Sequence, residues 1–129
     1  MLHSDADGPC RIVIADGDAE VCQLLARTLH CPSLELTVLS GPGQLIARLQ
    51  ARGADVLLFE PLLLGWRAGL EFCTTLTNTS IIVVTTRTGR EDIRAARLAG
   101  AVDVITKPFS PRDVRRRVVA SCPRHLLSG

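Results

Sequence analysis

Residues 11–29 read RIVIADGDAEVCQLLARTL, a short apolar run followed directly by a helical pattern. The run Ile12-Val13-Ile14-Ala15 has the length and the β-branched composition of a buried strand. After Asp18, residues that can face a core recur at the i, i+3, i+4, i+7, i+8 spacing of an amphipathic helix, namely Val21, Leu24, Leu25, Thr28 and Leu29. The stretch therefore predicts a strand that leads directly into a helix.

The same alternation recurs four more times along the chain. Further strands are predicted at 34–39, 56–59, 81–84 and 102–106, and further helices at about 43–52, 68–77, 90–99 and 111–122. Connections this short favour a parallel sheet with helices on both faces. The sequence therefore predicts an α/β fold, a single doubly wound (βα)5 domain.

The apolar patterns of the strands predict their order in the sheet. The runs at 12–15, 56–59 and 81–84 are continuously apolar, as in strands buried on both faces, whereas 34–38 alternates and 102–106 partly does. The second and fifth strands are therefore predicted to be edges. With right-handed crossovers the order becomes 2-1-3-4-5, which is flavodoxin-like, and ligands of such sheets bind beyond the carboxyl ends of the first and third strands.

Composition excludes several classes of function. The 129 residues suffice for one domain, and 47% of them are hydrophobic. A formal charge of +2 is too small to predict direct binding to nucleic acid, and no apolar run approaches the roughly 20 residues of a membrane span. Residues 1–10 are predicted to be a poorly ordered tail, 11–122 the domain, and 123–129 a second tail or the start of a linker.

Five cysteines without a C-x-x-C motif, and a start without the regions of a signal peptide, favour a reducing cytoplasm. The cysteines are accordingly expected to be small buried hydrophobic residues.

Polar residues follow four of the predicted strands at the edge where ligands would bind. Asp16 and Asp18 follow the first strand, Glu60 the third, Thr85 ends the fourth, and Lys107 follows the fifth. Acids can hold a divalent cation, while a hydroxyl and an ammonium can hold phosphoryl oxygens. Asp18 can equally be the N-cap of the first helix.

The order of these residues, together with AGAVDVITKPF at 99–109, resembles the receiver domain of response regulators in bacterial two-component systems. The resemblance spans about residues 11–122 and implies a signalling module, not an enzyme. It implies that Thr85 is the switch hydroxyl, that Lys107 is the lysine of the phosphate pocket, and that the Lys107–Pro108 bond is cis.

Three positions depart from the pattern of that family. Gly17 stands where a second acid usually binds metal, Glu60 replaces the aspartate phosphoacceptor, and Val104 replaces the usual aromatic rotor. A methylene displaces the reacting carboxylate by more than about 1 Å, enough to impair a positioned transfer about 100-fold. These departures predict a pseudo-receiver that acts by protein contact largely without phosphorylation. No metal or cofactor is expected beyond weak Mg²⁺ binding, and Glu60 is expected to lie near Lys107.

The resemblance also implies a partner, either another protein or an output domain in the same chain, such as that of a transcriptional regulator; a stand-alone receiver remains open. Receivers generally signal through the fourth helix, fifth strand and fifth helix. Charges of both signs there, with apolar contact from Ile93 or Val104, predict a weak homodimer; the charged residues are Arg94, Arg97, Asp103, Asp113 and Arg117.

Two other functions remain open at this stage. The chain could be a conventional Mg²⁺-dependent receiver that is phosphorylated on Glu60. Residues 12–18 also match the hhhhDxD pattern of haloacid-dehalogenase-like phosphatases. That fold needs further acids after the lysine, and only Asp113, within the last predicted helix, is present there.

Overall fold

The computed structural model describes residues 8–123, so most of both predicted tails lies outside the described residues. Five parallel strands alternate with five helices, in the sheet order β2-β1-β3-β4-β5, which confirms the predicted topology. The strands are β1 Cys10–Ala15, β2 Leu34–Leu39, β3 Val56–Phe59, β4 Ser80–Thr85 and β5 Ala101–Thr106. The helices are α1 Ala19–Thr28, α2 Pro42–Arg52, α3 Trp66–Thr74, α4 Arg90–Leu98 and α5 Pro111–Ser121, with a 3-10 turn at Pro61–Leu63.

Burial separates central strands from edge strands as the apolar patterns predicted. Every residue of β3 is buried, and so are all residues of β1 and β4 except one in each. In β2 only Leu34 is buried, and β5 exposes Val102. Continuous apolar runs therefore mark strands that are covered by helices on both faces.

The sheet divides the core into two layers. One layer packs β1 and its neighbours against α1 and α5, through residues such as Leu25 and Val118. The other layer packs against α2, α3 and α4, through Leu45, Cys73 and Ala96. Both layers end at the carboxyl edge of the sheet, where the polar residues lie.

The third helix differs from its prediction at both ends. It begins at Trp66 and ends at Thr74, whereas the sequence predicted 68–77. The hydroxyls of Thr74 and Thr75 donate to the carbonyls of Glu71 and Phe72, at 2.6 and 2.7 Å. These bonds satisfy carbonyl groups of the last turn, so the helix can end before the apolar pattern does.

The prediction for the cysteines was wrong for one pair. Cys10 and Cys122 form a disulfide between the start of β1 and the end of α5, across 112 residues of sequence. Cys22 and Cys73 are buried thiols, as predicted, and Cys31 is half-buried. Spacing along the chain does not reveal such a pair because only the fold brings its two ends together. Cys10 also places the start of β1 one residue before the predicted start of the domain.

None of the helices formed within residues 8–123 combines the length and the apolar character needed to cross a membrane.

Candidate functional site

Strand register brings the predicted site residues to one edge of the sheet. Ala15 of β1 pairs with Phe59 of β3, so Asp16 and Glu60 leave the sheet side by side. The backbone N–H of Glu60 donates to the Ala15 carbonyl at 3.0 Å, and that of Lys107 donates to the Thr85 carbonyl at 2.8 Å. Parallel strands thus bring Asp16, Glu60, Thr85 and Lys107 to the same edge of the sheet, as predicted from their sequence positions.

Lys107 links the two acids at the centre of the crevice. Its Nζ donates to Asp16 Oδ2 at 2.7 Å and to Glu60 Oε1 at 3.4 Å. The side chains are only 13%, 5% and 7% exposed for Lys107, Asp16 and Glu60 respectively. Two carboxylates and one ammonium therefore share a largely water-excluded site. The Lys107–Pro108 bond beside it is cis, which confirms that expectation.

The remaining carboxylate oxygens of this cluster also have donors from the chain itself. Asp16 Oδ1 accepts from the backbone N–H of Asp18 at 2.9 Å. Glu60 Oε2 accepts from the backbone N–H of Leu62 at 3.3 Å. Each of the four oxygens therefore has a hydrogen-bond donor within the domain, as buried polar groups require.

Asp18, predicted as a helix cap and, compatibly, as a pocket acid, binds the first turn of α1 with one carboxylate oxygen. Asp18 Oδ1 accepts from the backbone N–H groups of Glu20 and Val21, at 2.9 and 3.3 Å. Asp18 is thus the N-cap residue of α1, and the capping prediction is confirmed.

Asp18→Ala is expected to lower the free energy of unfolding by about 1 kcal/mol, because two N–H groups of the first turn lose their acceptor. The measurement is urea unfolding followed by circular dichroism. Asp18→Asn is the matched control: it keeps an acceptor oxygen at the cap, so its stability should stay near that of the wild type. Equal losses in the two variants would mean that charge, and not capping, is the contribution of Asp18.

Thr85 is buried at the end of β4, and its hydroxyl oxygen accepts from the backbone N–H of Arg87 at 3.2 Å. The Arg87 guanidinium lies 4.9 Å from the ring centroid of Trp66 and 3.6 Å from Asp92 Oδ2. The loop between β4 and α4 is therefore tied to the start of α3 by a cation–π contact.

Gly17 leaves space beside Asp16. A Cβ built on Gly17 would come 3.7 Å from Leu63 Cδ1, an ordinary contact, and the backbone of Gly17 is not left-handed. A side chain could therefore stand at this position. The glycine at position 17 therefore removes the carboxylate that the family usually has there, although packing does not require a glycine at this position.

The resemblance implies a Mg²⁺ ion next to the acceptor, and the donor set does not fit one. Mg²⁺ prefers carboxylate oxygens and water in octahedral geometry. Here both converging carboxylates are bound to an ammonium, and the third acid, Asp18, caps a helix. Within residues 8–123 no three His, Cys, Asp or Glu side chains cluster as metal ligands would.

A family model, response regulator receiver domain, matches residues 12–119 of the chain. The chain belongs to this family. The receiver domain is 28% identical over 118 residues to the DNA-binding response regulator MtrA of Mycolicibacterium paratuberculosis, covering 89% of this chain and 52% of that protein. It is 29% identical over 112 residues to the sensory transduction protein RegX3 of Mycolicibacterium smegmatis, covering 84% and 49% respectively.

Solved structures support the same fold. The chemotaxis protein CheY4 of Vibrio cholerae superposes with a TM-score of 0.77 at 20% identity, covering 88% of this chain and 99% of that one. The receiver spans about half the length of the curated relatives that it matches. The matching family is that of signalling modules and not of haloacid-dehalogenase-like phosphatases.

The predicted interface of the receiver lies on α4, β5 and α5, but its acids are bound within the chain. Arg117 Nη1 donates to Asp103 Oδ1 at 2.7 Å, and Arg117 Nε lies 3.0 Å from Asp113 Oδ2. Arg97 lies 3.7 Å from Asp103, and Arg116 pairs with Asp113. The guanidinium of Arg117, followed by that of Arg116, lowers the pKa of the Asp113 carboxyl. These arginines therefore already neutralise both acids.

The expected apolar contact of this face was also partly wrong. Val104 is buried in the core layer of α2, α3 and α4, and Ile93 is half-buried against the same layer. The exposed large apolar side chains of α4, β5 and α5 are instead Leu98, Val102 and Val119, at 77%, 53% and 37% exposure.

The sequence carried no signal for the exposure of Val102, because strict alternation places it on the face of the buried Val104. A register shift causes the exposure: Ala101 pairs with Ile81 and Asp103 with Ile82, so Val102 has no register partner on β4.

Proposed function

We propose that this receiver domain signals by protein contact in a state that does not depend on phosphorylation of its acceptor position. The observation that carries the proposal is the contact of Lys107 with both Asp16 and Glu60, at 2.7 and 3.4 Å. A carboxylate already bound to the lysine of the phosphate pocket places negative charge where a phosphorylated acceptor would place it. The longer side chain of Glu60 supports this reading, because it reaches Lys107 from the end of β3.

The reactivity of the crevice supports the same proposal. A carboxylate must present an oxygen to a phosphodonor, and both oxygens of Glu60 are engaged, by Lys107 and by the N–H of Leu62. Gly17 supplies no carboxylate to recruit a divalent ion that would neutralise the transferred group. Displacement of the acceptor and loss of metal charge both oppose phosphoryl transfer.

Incubation with acetyl phosphate and Mg²⁺ is expected to add no phosphoryl group to the wild-type chain, measured as intact mass. Glu60→Asp alone is expected to behave like the wild type, since residue 17 is still a glycine and supplies no carboxylate for a metal ion. The variant that combines Gly17→Asp with Glu60→Asp is the positive arm, because a side chain has space at position 17. A phosphorylated wild-type species mapped to Glu60 would establish the conventional receiver instead.

We further propose that the domain works in the cytoplasm as part of a regulator with an output domain. Two relatives named above are about twice as long as the matched region, and one is named a DNA-binding response regulator. The face of α4, β5 and α5 supports contact with such a domain or with another protein, since it exposes Leu98 and Val102. The sequence of the whole gene product tests this proposal: a regulator is expected to carry a DNA-binding domain after the receiver.

A weak homodimer through the same face is a further expectation. Because Asp103 and Asp113 already have arginine partners in their own chain, charge pairs across a two-fold axis would add little. Leu98 and Val102, the most exposed large apolar side chains of α4, β5 and α5, are then expected to supply the contact. The Leu98→Ser, Val102→Ser double variant should therefore dissociate, while Val38→Ser, on the opposite edge strand, should not. Analytical sedimentation over a concentration series measures this; a monomer at every concentration would contradict it.

A further inference from the structure

Three of the five cysteines lie at one corner of the domain, at the amino end of the sheet and far from the acidic crevice. Cys10 begins β1, and its disulfide partner Cys122 follows the last residue of α5. Cys31 precedes β2, and its carbonyl accepts from the N–H of Leu34 at 3.0 Å. Leu34 is the register partner of Cys10, and the N–H of Cys10 donates to the Ser33 carbonyl at 3.0 Å. The turn that holds Cys31 therefore lies directly against Cys10.

The three cysteines differ in their access to solvent. Cys10 and Cys122 are 0% and 5% exposed, so a dissolved reagent cannot reach their sulfur atoms directly. Cys31 is half-buried and packs on the outside of the core layer that contains the disulfide. Of the three cysteines at this corner, Cys31 is therefore the one that a dissolved reagent can reach.

Cys31 also has the environment of a reactive thiol. Its Sγ lies 3.2 Å from Ser33 Oγ, and hydrogen bonding to Ser33, with help from the charge of Arg115, lowers the pKa of the Cys31 thiol. Burial raises the pKa of Cys22 and raises that of Cys73 to about 11. Since the thiolate is the attacking species, Cys31 is the thiol prepared to react.

We propose that Cys10 and Cys122 interconvert between dithiol and disulfide, and that Cys31 is the entry thiol through which a small-molecule disulfide oxidises the buried pair. The proposal rests on the corner of Cys10, Cys31 and Cys122 alone, and it holds whether or not Glu60 accepts a phosphoryl group. Disulfides in reducing compartments are usually transient or redox-sensing, which suits the cytoplasmic site of action proposed above.

The exchange proceeds in three balanced steps. The Cys31 thiolate attacks one sulfur of oxidised glutathione, forms a mixed disulfide and releases one glutathione thiolate. The Cys10 thiolate then attacks the Cys31 sulfur and releases the second glutathione thiolate. Finally the Cys122 thiolate attacks the Cys10 sulfur and releases Cys31 as a thiolate. In total the Cys10 and Cys122 thiols lose two electrons and two protons, and oxidised glutathione becomes two molecules of the reduced form.

The bond joins two elements that carry much of one core layer. Cys122 caps α5, and its N–H donates to the carbonyls of Val118 and Val119, both at 3.2 Å. Val114 and Val118 of α5 pack in the layer that α1 also covers. The disulfide closes a loop of 112 residues, which restricts the unfolded chain. Oxidation therefore fixes the end of α5 to the sheet, and reduction leaves it held by packing and hydrogen bonds alone.

The test uses the full chain, equilibrated from both directions in buffers of reduced and oxidised glutathione, quenched with acid, alkylated under denaturing conditions and cleaved with trypsin. The expected species joins the peptides 1–11 and 118–124, while Cys22, Cys31 and Cys73 are recovered alkylated. Its fraction should rise and fall reversibly with the glutathione ratio. The urea midpoint of the wild type should rise with that fraction, and Cys122→Ser should abolish this dependence.

The role of Cys31 as the entry thiol is tested by the rate at which the Cys10–Cys122 disulfide forms in these buffers. Cys31→Ser and Cys31→Ala should slow the approach to equilibrium about tenfold or more at an unchanged final fraction, because the remaining thiols are buried. Cys73→Ser is the matched control and should leave the rate unchanged. The proposed interconversion of Cys10 and Cys122 is overturned if the cross-linked peptides are absent in every buffer or if their fraction does not respond to reduced glutathione. The entry role is overturned if both Cys31 variants react as fast as the wild type.

Discussion

Replacement of Lys107 with methionine is expected to lower the free energy of unfolding by about 3–5 kcal/mol, the usual consequence of removing one partner from a buried ion pair. Lys107 is the ammonium that both Asp16 and Glu60 contact, and the two carboxylates are 5% and 7% exposed. Methionine keeps most of the aliphatic stem, so the loss reports on charge. Without Lys107 two like charges remain side by side with little water, and urea unfolding followed by circular dichroism should show the change.

Glu60→Gln is the matched control for that prediction. It leaves Asp16 and Lys107 as a neutral pair at 2.7 Å and retains an oxygen for the N–H of Leu62. Its stability should remain within about 1 kcal/mol of the wild type. In the double variant, Glu60→Gln should recover part of the loss caused by Lys107→Met, because only one buried carboxylate stays uncompensated. A Lys107→Met variant as stable as the wild type would show that the cluster is not stabilised by this ammonium.

Gly69→Ala should lower the free energy of unfolding by about 2–3 kcal/mol, although alanine is the better helix former. Gly69 lies in α3, and a Cβ there would come 2.7 Å from both Cα and Cβ of Pro61 and closer still to its carbonyl oxygen. These atoms belong to the 3-10 turn that follows Glu60, so they cannot yield without moving the acidic crevice. Urea unfolding measures the loss.

Gly43→Ala is expected to change stability in the opposite direction. Gly43 lies in α2, and nothing stands within 4 Å of a Cβ built there. Only the gain in helix propensity and the smaller freedom of the unfolded chain should act, about 0.4–1 kcal/mol in favour of the variant. If the same substitution lowers the free energy of unfolding in α3 and raises it in α2, the close approach of α3 to Pro61 is established as the reason for the glycine at position 69. Two stabilised variants would contradict that account.

The sequence predicted the fold well because burial of a strand on two faces leaves a direct trace in composition. The runs at 12–15, 56–59 and 81–84 are central, and the alternating Leu34–Leu39 is an edge. The meeting of the polar residues at the strand ends could equally be predicted from the sequence, since parallel strands bring their carboxyl ends together. Asp16, Glu60 and Lys107 therefore meet where their places in the chain predict.

Pairings between distant residues were not accessible from one sequence. The cysteine at position 10 looks like any other small apolar residue until the fold brings position 122 next to it. The charges of Asp103 and Arg117 were predicted to be available to a partner, but Asp103 on β5 and Arg117 on α5 bind each other at 2.7 Å. Side-chain partners depend on rotamers and on packing between elements, and the pattern of residue types carries little of that information.

The contact between Arg87 and Trp66 gives the domain an intrinsic optical reporter. Trp66 is the single tryptophan of the chain, and its indole lies 4.9 Å from a guanidinium in the loop that also binds the Thr85 hydroxyl. Any ligand, partner or modification that displaces this loop changes the environment of the indole, and with it the emission intensity and wavelength. Signals that act on the crevice can therefore be sought by intrinsic fluorescence, on the unlabelled wild-type protein, before anything is known of their chemistry.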